Sequence, residues 1–142
     1  MALRTKCIFD PKEDDDGTRI SIMSRHTKND GRTAEPRIIE GVTYDLWWKE
    51  LSPPEKLVGW WYRAGFDSPN KERLWNDIFM PRFIEHIRYD GESGRKLAAL
   101  SELALIGNVT IMCAESGPQF CHRRLVAEQV ARSNSGIQLM LR

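Results

Sequence analysis

No stretch of the chain stays apolar for the roughly 18–20 residues that a membrane-spanning helix needs. The opening Met1-Ala2-Leu3-Arg4-Thr5-Lys6 lacks the long apolar core and small-residue cleavage site of a secretory signal. The expectation is a soluble, cytoplasmic protein with no membrane partner. Cysteine is scarce, at three residues (Cys7, Cys113 and Cys121), and an odd count in a reducing compartment predicts free thiols rather than disulfides. Net charge is almost absent: 21 Lys and Arg stand against 20 Asp and Glu, leaving +1. No global field therefore draws the chain to nucleic acid, and such binding would need a local patch. Internal repeats are missing, which excludes a solenoid. There is no Walker lysine and no G-x-G-x-x-G, and the phosphatase pairing of a cysteine with an arginine six positions on fails because Gln119 occupies that place after Cys113.

What is present suits one globular domain. The chain has 142 residues, 41% hydrophobic and 29% charged, which predicts a single domain over 1–142 with its core in about 17–132. Gly17 to Arg25 alternates polar and apolar residues with β-branched character, the period-2 signature of a strand. The acidic run Asp10 to Asp16 before it reads as a solvated loop. Residues 26–42, with Asn29-Asp30-Gly31, Pro36 and Gly41, form a long connection and a candidate lid.

Ser52-Pro53-Pro54-Glu55 has the spacing of a capping box, so a helix is expected from there to about Ala64, with Gly65 as its stop. Leu74, Trp75, Ile78, Phe79, Phe83 and Ile87 recur at helical intervals, and Pro81 within them predicts a kink or break near Met80. Leu97, Leu100, Leu103 and Ala104 continue a third helix that Gly107-Asn108 can end with a left-handed residue. Val109 to Cys113 is short, β-branched and apolar on both faces, a buried central parallel strand. A last helix runs from Phe120 or Cys121 to Ser133, and residues 137–141 add a short edge strand. This order predicts a three-layer α/β fold, a mostly parallel sheet with helices on both faces.

In open α/β sheets ligands bind beyond the carboxyl ends of the strands, where Cys113–Arg124 lies. The first turn of a helix offers unpaired amides and a positive dipole end. His122, Arg123 and Arg124 add cations to that turn against the dipole, which points to an anion or acidic partner nearby; Glu115 is the internal alternative. On a helix Cys121 and Arg124 share one side, with His122 and Arg123 turned away from it. Cys121, a thiol at a helix N-terminus beside cations, has the setting that lowers a thiol pKa; a small buried packing residue is the other reading, and the more usual one for Cys113. Cys113, Cys121 and His122 are donor types that suit zinc. A structural site wants four ligands, however, and the remaining nitrogen or sulfur donors Cys7, His26 and His86 are distant in sequence. No metal is expected, and no cofactor is indicated.

Cys113-Ala114-Glu115-x-x-Pro118-x-x-Cys121-His122-Arg123 resembles the signature of the domain of unknown function 488 family. Arg19 to Arg25 resembles the family's first strand, which ends in an arginine. Tyr44-Asp45-Leu46-Trp47-Trp48-Lys49-Glu50-Leu51-Ser52-Pro53 is similar to the Asp-x-Trp-x-x-x-Leu-x-Pro segment of its YeaO-like branch. His26-Thr27-Lys28-Asn29 stands where that branch has Trp-Pro-Arg-Gly. The resemblance implies a compact α/β fold without an established activity, and a crevice in which Arg25, Asp45 and Trp47 join Glu115, Cys121, His122 and Arg123.

The leading expectation is an enzyme or ligand-binding domain for an anionic or phosphate-bearing small molecule, a nucleotide being one candidate, at the turn 113–124. Arg25 and Arg123 would bind charge, with Asp45, Trp47 and Cys113 completing the ligand-binding set. His122 would serve as acid–base, Glu115 would orient it, and Cys121 would be nucleophile or packing. A nucleic-acid module using Arg19, Arg25, Lys28, Arg32 and Arg37 with stacking tryptophans is the runner-up. A homodimer that buries the tryptophan excess is a third reading.

Overall fold

The computed structural model describes residues 2–142. Five strands form one sheet: β1 (Ala2–Cys7), β2 (Thr18–Ser21), β3 (Leu46–Trp47), β4 (Val109–Cys113) and β5 (Gln138–Met140). Their order is β3-β2-β4-β1-β5 and every pairing is parallel. The α/β class and parallel sheet are as expected. The first strand is not: β1 holds a central place, pairing with β4 on one side and β5 on the other.

Side chains alternate across a strand, and here the two faces differ in chemistry. Leu3, Ile20, Val109 and Ile111 point into the main core, against Leu57, Trp61, Trp75, Phe79, Phe83, Ile87, Leu100, Leu125 and Val130. The elements that bring these residues are α1 (Glu55–Trp60) and the π turn after it (Trp61–Gly65), the π turn Trp75–Phe79 that leads into α3 (Met80–Tyr89), α4 (Gly91–Ile106) and α5 (His122–Ser133). The core reaches from Leu3 to Ile137, beyond the expected 17–132. On the other face stand Arg4, Lys6, Arg19 and Thr110, all buried, with a small apolar cluster of Ile8, Tyr44 and Met112. The third layer, over this face, is made by the connections 8–17 and 22–45 rather than by helices. Its fixed points are ion pairs: Lys6 Nζ lies 2.8 Å from Asp16, Arg4 binds Asp15, and Arg19 binds Asp45 at 3.0 Å.

Right-handed crossovers explain this division. Connections that move one way along the sheet, β3 to β4 and β4 to β5, carry the helices; those that move the other way, β1 to β2 and β2 to β3, must pass over the opposite face.

Local details depart from expectation for physical reasons. Pro81 neither breaks nor ends its helix. A short α2 (Lys71–Leu74) runs through a π turn at Trp75–Phe79 into α3, and Met80 N–H donates to Trp75 O, five residues back. The widened turn sits where proline, lacking an amide hydrogen, could not continue the regular ladder. Ser52 does not cap α1; its hydroxyl donates to Lys49 O at 2.6 Å. Gly65 does not stop a helix in a left-handed conformation. It ends a second π turn, Trp61–Gly65, and a Cβ there would come within 2.3 Å of the Trp61 ring. Gly107 is extended, with φ −172°. The left-handed glycine that matters is Gly17, φ 65°, where a Cβ would strike the Asn108 carbonyl beside β4.

Candidate functional site

Adjacent strands β2 and β4 send their outgoing connections in opposite directions along the sheet, one over each face. Such a point opens a crevice at the carboxyl ends of the strands. A cleft of about 250 Å³ lies there. Its floor comes from the residues after β2 (Met23, Ser24, Arg25) and after β4 (Cys113, Ala114, Glu115). One wall is aromatic: Trp61, Trp75, Phe79 and Phe120. These rings brace one another, with Trp75 stacked on Phe79 at 4.2 Å between centroids and edge-on to Phe120 and Trp61. Aromatic packing of this kind fixes a wall in place.

Polar groups share the cleft with the rings: Ser24, Arg25, Thr27, Asn29, Tyr62, Glu115 and His122 all line it. Tyr62 lies across the opening, its hydroxyl 3.5 Å from Glu115 Oε1. Burial raises the Tyr62 pKa and the carboxylate raises it further, so the phenol keeps its proton and acts as donor. The indole Nε1 of Trp75 is buried and finds no acceptor among the described residues. At the rim Arg25 pairs with Glu55 at 2.8 Å, both side chains more than half exposed.

His122, the first residue of α5, has Nε2 2.7 Å from Ile22 O. A carbonyl only accepts, so Nε2 carries the hydrogen and Nδ1 keeps its lone pair. Burial lowers the His122 pKa, opposed in part by Glu115, which leaves the ring neutral near pH 7.

Arg123 is fully buried. Its Nε and Nη2 donate to Arg142 O at 3.2 and 3.1 Å, and Nη1 donates to Glu115 O at 2.7 Å. The same Nη1 faces Cys113 Sγ at 3.2 Å and Cys121 Sγ at 3.4 Å. The guanidinium thus holds the turn 113–121 and the chain end together, with its hydrogens spent inside the protein.

The two cysteines meet. Cys113 ends β4, Cys121 is the N-cap of α5, and the structure joins them as a disulfide, which corrects the expectation of three free thiols; Cys7 alone is free, and buried. The physical reason is tertiary: the turn from 114 to 120 folds back so that both sulfurs converge beneath the Arg123 guanidinium. Glu115 Oε2 lies 3.2 Å from Cys113 Sγ and 3.5 Å from Cys121 Sγ.

The fold therefore gathers Cys113, Glu115, Cys121, His122 and Arg123 around one turn, with Arg25 across the cleft. Asp45 and Trp47 lie elsewhere. Asp45 accepts from the Arg19 backbone amide, Nε and Nη2, tying β3 to β2. Trp47 stacks on His26 at 3.8 Å and donates Nε1 to Met23 O. Tyr62, Trp75 and Phe120 escape a reading of the sequence as site residues, because nothing along the chain marks which aromatics the tertiary fold turns toward Glu115.

Among the described residues no helix is long and apolar enough to cross a membrane. Comparison with curated proteins finds no match, and neither does comparison with solved structures. A family model, DUF488-N3a, described as the active DUF488-N3 subclade, matches residues 3–134. That match carries family membership without extending to the YeaO-like branch. Strand, turn and helix of the cleft all fall inside the matched span, and the chain belongs to the DUF488 family.

Proposed function

We propose that the cleft binds, and acts upon, a small anionic molecule that carries a heteroaromatic ring, a mononucleotide being the chemistry that fits best. The observation that carries this reading is a carboxylate set against aromatic faces. The Glu115 carboxylate, with the Tyr62 hydroxyl 3.5 Å away, lines the cleft beside Trp61, Trp75 and Phe120. A heteroaromatic ring stacked there would present a donor edge to that carboxylate. Trp61 and Phe120 supply stacking area, as aromatic side chains do for bases.

Arg25 is the cation that reaches the cleft with a solvent-exposed head, so it is the partner for a phosphate; Arg123 acts indirectly, by holding Glu115 and the sulfurs in place. Glu115 is the acid–base candidate, with Tyr62 as its donor. At about 250 Å³ the cleft falls just below the roughly 300–1,000 Å³ usual for small-molecule sites. That size favours a monomeric ligand over a polymer. Of the basic strip that would serve a nucleic acid, Arg19 is buried against Asp45 and Arg37 is paired with Glu35; a phosphate on Arg25 would displace its exposed partner Glu55.

Thermal unfolding against nucleobases, nucleosides, nucleoside monophosphates and inorganic phosphate tests the proposal. A ligand at about a hundred times its Kd stabilises by about 2.7 kcal/mol, an upward shift of several degrees. Arg25→Ala should remove the extra shift given by the phosphate, and Glu115→Gln the part given by the base. Equal responses of wild type and both variants, or no response to any of these ligands, would overturn it.

A further inference from the structure

Beyond this reading, we propose that Cys113, Cys121 and His122 form a binding site for a borderline-soft divalent ion, zinc by chemistry, when the two cysteines are reduced. Their ligand atoms lie within 4.8 Å of one another; Cys113 and His122 line the cleft, and Cys121 is buried behind them. The site adjoins the cleft, but the inference requires no organic ligand to be bound there.

Three observations carry the inference. The first is the backbone spacing. The Cα atoms of Cys113 and Cys121 are 7.7 Å apart, beyond the roughly 4.4–6.8 Å that a disulfide ordinarily spans, yet both side chains point at the same spot. An ion between two thiolates, each about 2.3 Å from it, suits side chains that converge from backbones this far apart.

The second is His122. Its Nε2–H donates to Ile22 O at 2.7 Å, which fixes the ring and leaves the Nδ1 lone pair free. A ligating imidazole held by a backbone carbonyl through its other nitrogen is the usual outer-shell arrangement of metal sites.

The third is charge. Arg123 is buried with its Nη1 against both sulfurs, and Glu115 Oε2 lies beside them. Two thiolates and one carboxylate balance one divalent ion and one guanidinium, so the assembled site is neutral. Without the ion the two sulfurs keep their protons, and the carboxylate alone balances the buried guanidinium.

Cys113, Cys121 and His122 supply three ligands. The fourth position of the tetrahedron is left to the cleft side, beside Glu115, the pattern of an open rather than a closed zinc site. Assembly balances simply. A dithiol reductant breaks the Cys113–Cys121 bond, giving two electrons and two protons to the sulfurs and closing to its own disulfide. Metal binding then releases the two thiol protons to water.

The whole chain, reduced and freed of reductant, is titrated with cobalt(II) as the probe. Thiolate-to-cobalt charge-transfer absorption and the d–d bands of tetrahedral cobalt should saturate at one equivalent, and zinc should displace them. Cys7→Ser, a buried cysteine outside the cluster, should bind as wild type does. Cys121→Ser and His122→Gln should weaken binding by at least about a hundredfold, since even outer-shell losses reach that scale. Wild type alone decides if a variant fails to fold: X-ray absorption of the zinc form should show two sulfur neighbours and at least one nitrogen. Absence of the charge-transfer band in reduced wild type, a zinc shell without two sulfurs, or bands that survive in Cys121→Ser would overturn the proposal.

Discussion

Two hollows flank the sheet. The aromatic cleft over β2 and β4 holds one carboxylate, one phenol and a single exposed guanidinium at its rim. The larger hollow on the loop-covered face, about 480 Å³, is lined by Lys6, Arg19 and Arg37 and by composition looks the better anion site. It is the poorer one. Lys6 is held by Asp16 and by the Pro11 carbonyl, Arg19 by Asp45 and the Val42 carbonyl, and Arg37 by Glu35. These three are tied to the loops they anchor, while Lys12, which also lines the hollow, stands outside these pairs. The contrast is one of surroundings: the loop-covered face ties Lys6, Arg19 and Arg37 to its own loops, whereas the cleft sets a carboxylate and the rim pair Arg25–Glu55 beside a wall of packed aromatic rings.

The largest expected effect breaks the loop-covered side. Asp16→Ala takes the buried partner from the Lys6 ammonium, leaving it only the half-exposed Glu13 carboxylate at 3.5 Å, and should cost about 3 kcal/mol in urea unfolding. The double variant Lys6→Met, Asp16→Leu should recover most of that loss, because replacing a buried pair by apolar residues is often neutral or better. If the double variant is as unstable as the single one, pairing is not what holds that layer.

Next comes Arg123→Ala, which strips donors from Arg142 O and Glu115 O and should cost about 2–3 kcal/mol, the scale of a buried hydrogen bond to a charged group. Asp45→Asn should cost less, about 1 kcal/mol, since this carboxylate is substantially exposed and its pairing with Arg19 is screened by solvent.

The smallest effect is a slope in pH. Burial holds the pKa values of His122 and His26 below the usual imidazole value, so the unfolded chain takes up protons that the folded chain refuses. Stability is full above about pH 6.5, the unfolded value, and falls as the pH drops through the lower folded values. Urea midpoints measured from pH 7.5 to 5.5 should fall, and His122→Gln should flatten the slope, leaving the His26 part. A slope of opposite sign would contradict the burial of these rings.

Much of the architecture is legible in the sequence, for reasons that residues make plain. Val109 to Cys113 is apolar on both faces, so a buried parallel strand is its natural reading, and α5 begins where Cys121-His122 places it. The first strand hides because Arg4 and Lys6 break the expected pattern of a buried element, and Asp10 to Asp16 reads as solvated because it is acidic. These two misreadings are one: the acidic loop folds onto the strand and buries its cations, with Asp16 only 1% exposed. Complementary charges separated along a chain do not announce that they will pair.

The candidate site is half legible. Glu115, Cys121 and His122 are near neighbours in sequence and stay neighbours in space. Trp61, Trp75 and Phe120 converge only through packing, as do the two sulfurs. Asp45 and Trp47, which the family resemblance would place in the crevice, serve instead at the β2–β3 edge. A carboxylate and an indole look the same in sequence whether they meet a ligand or their own backbone.

The most direct test of the account follows backbone amide shifts of the isotope-labelled chain as a nucleoside monophosphate is added. Binding at the aromatic cleft predicts concentration-dependent shifts at residues 23–25, 61–62 and 113–122, with the loop-covered face unmoved. Shifts centred on Lys6, Asp10 to Asp16 and Thr43, with the turn 113–122 silent, would place the anion in the other hollow and contradict the account.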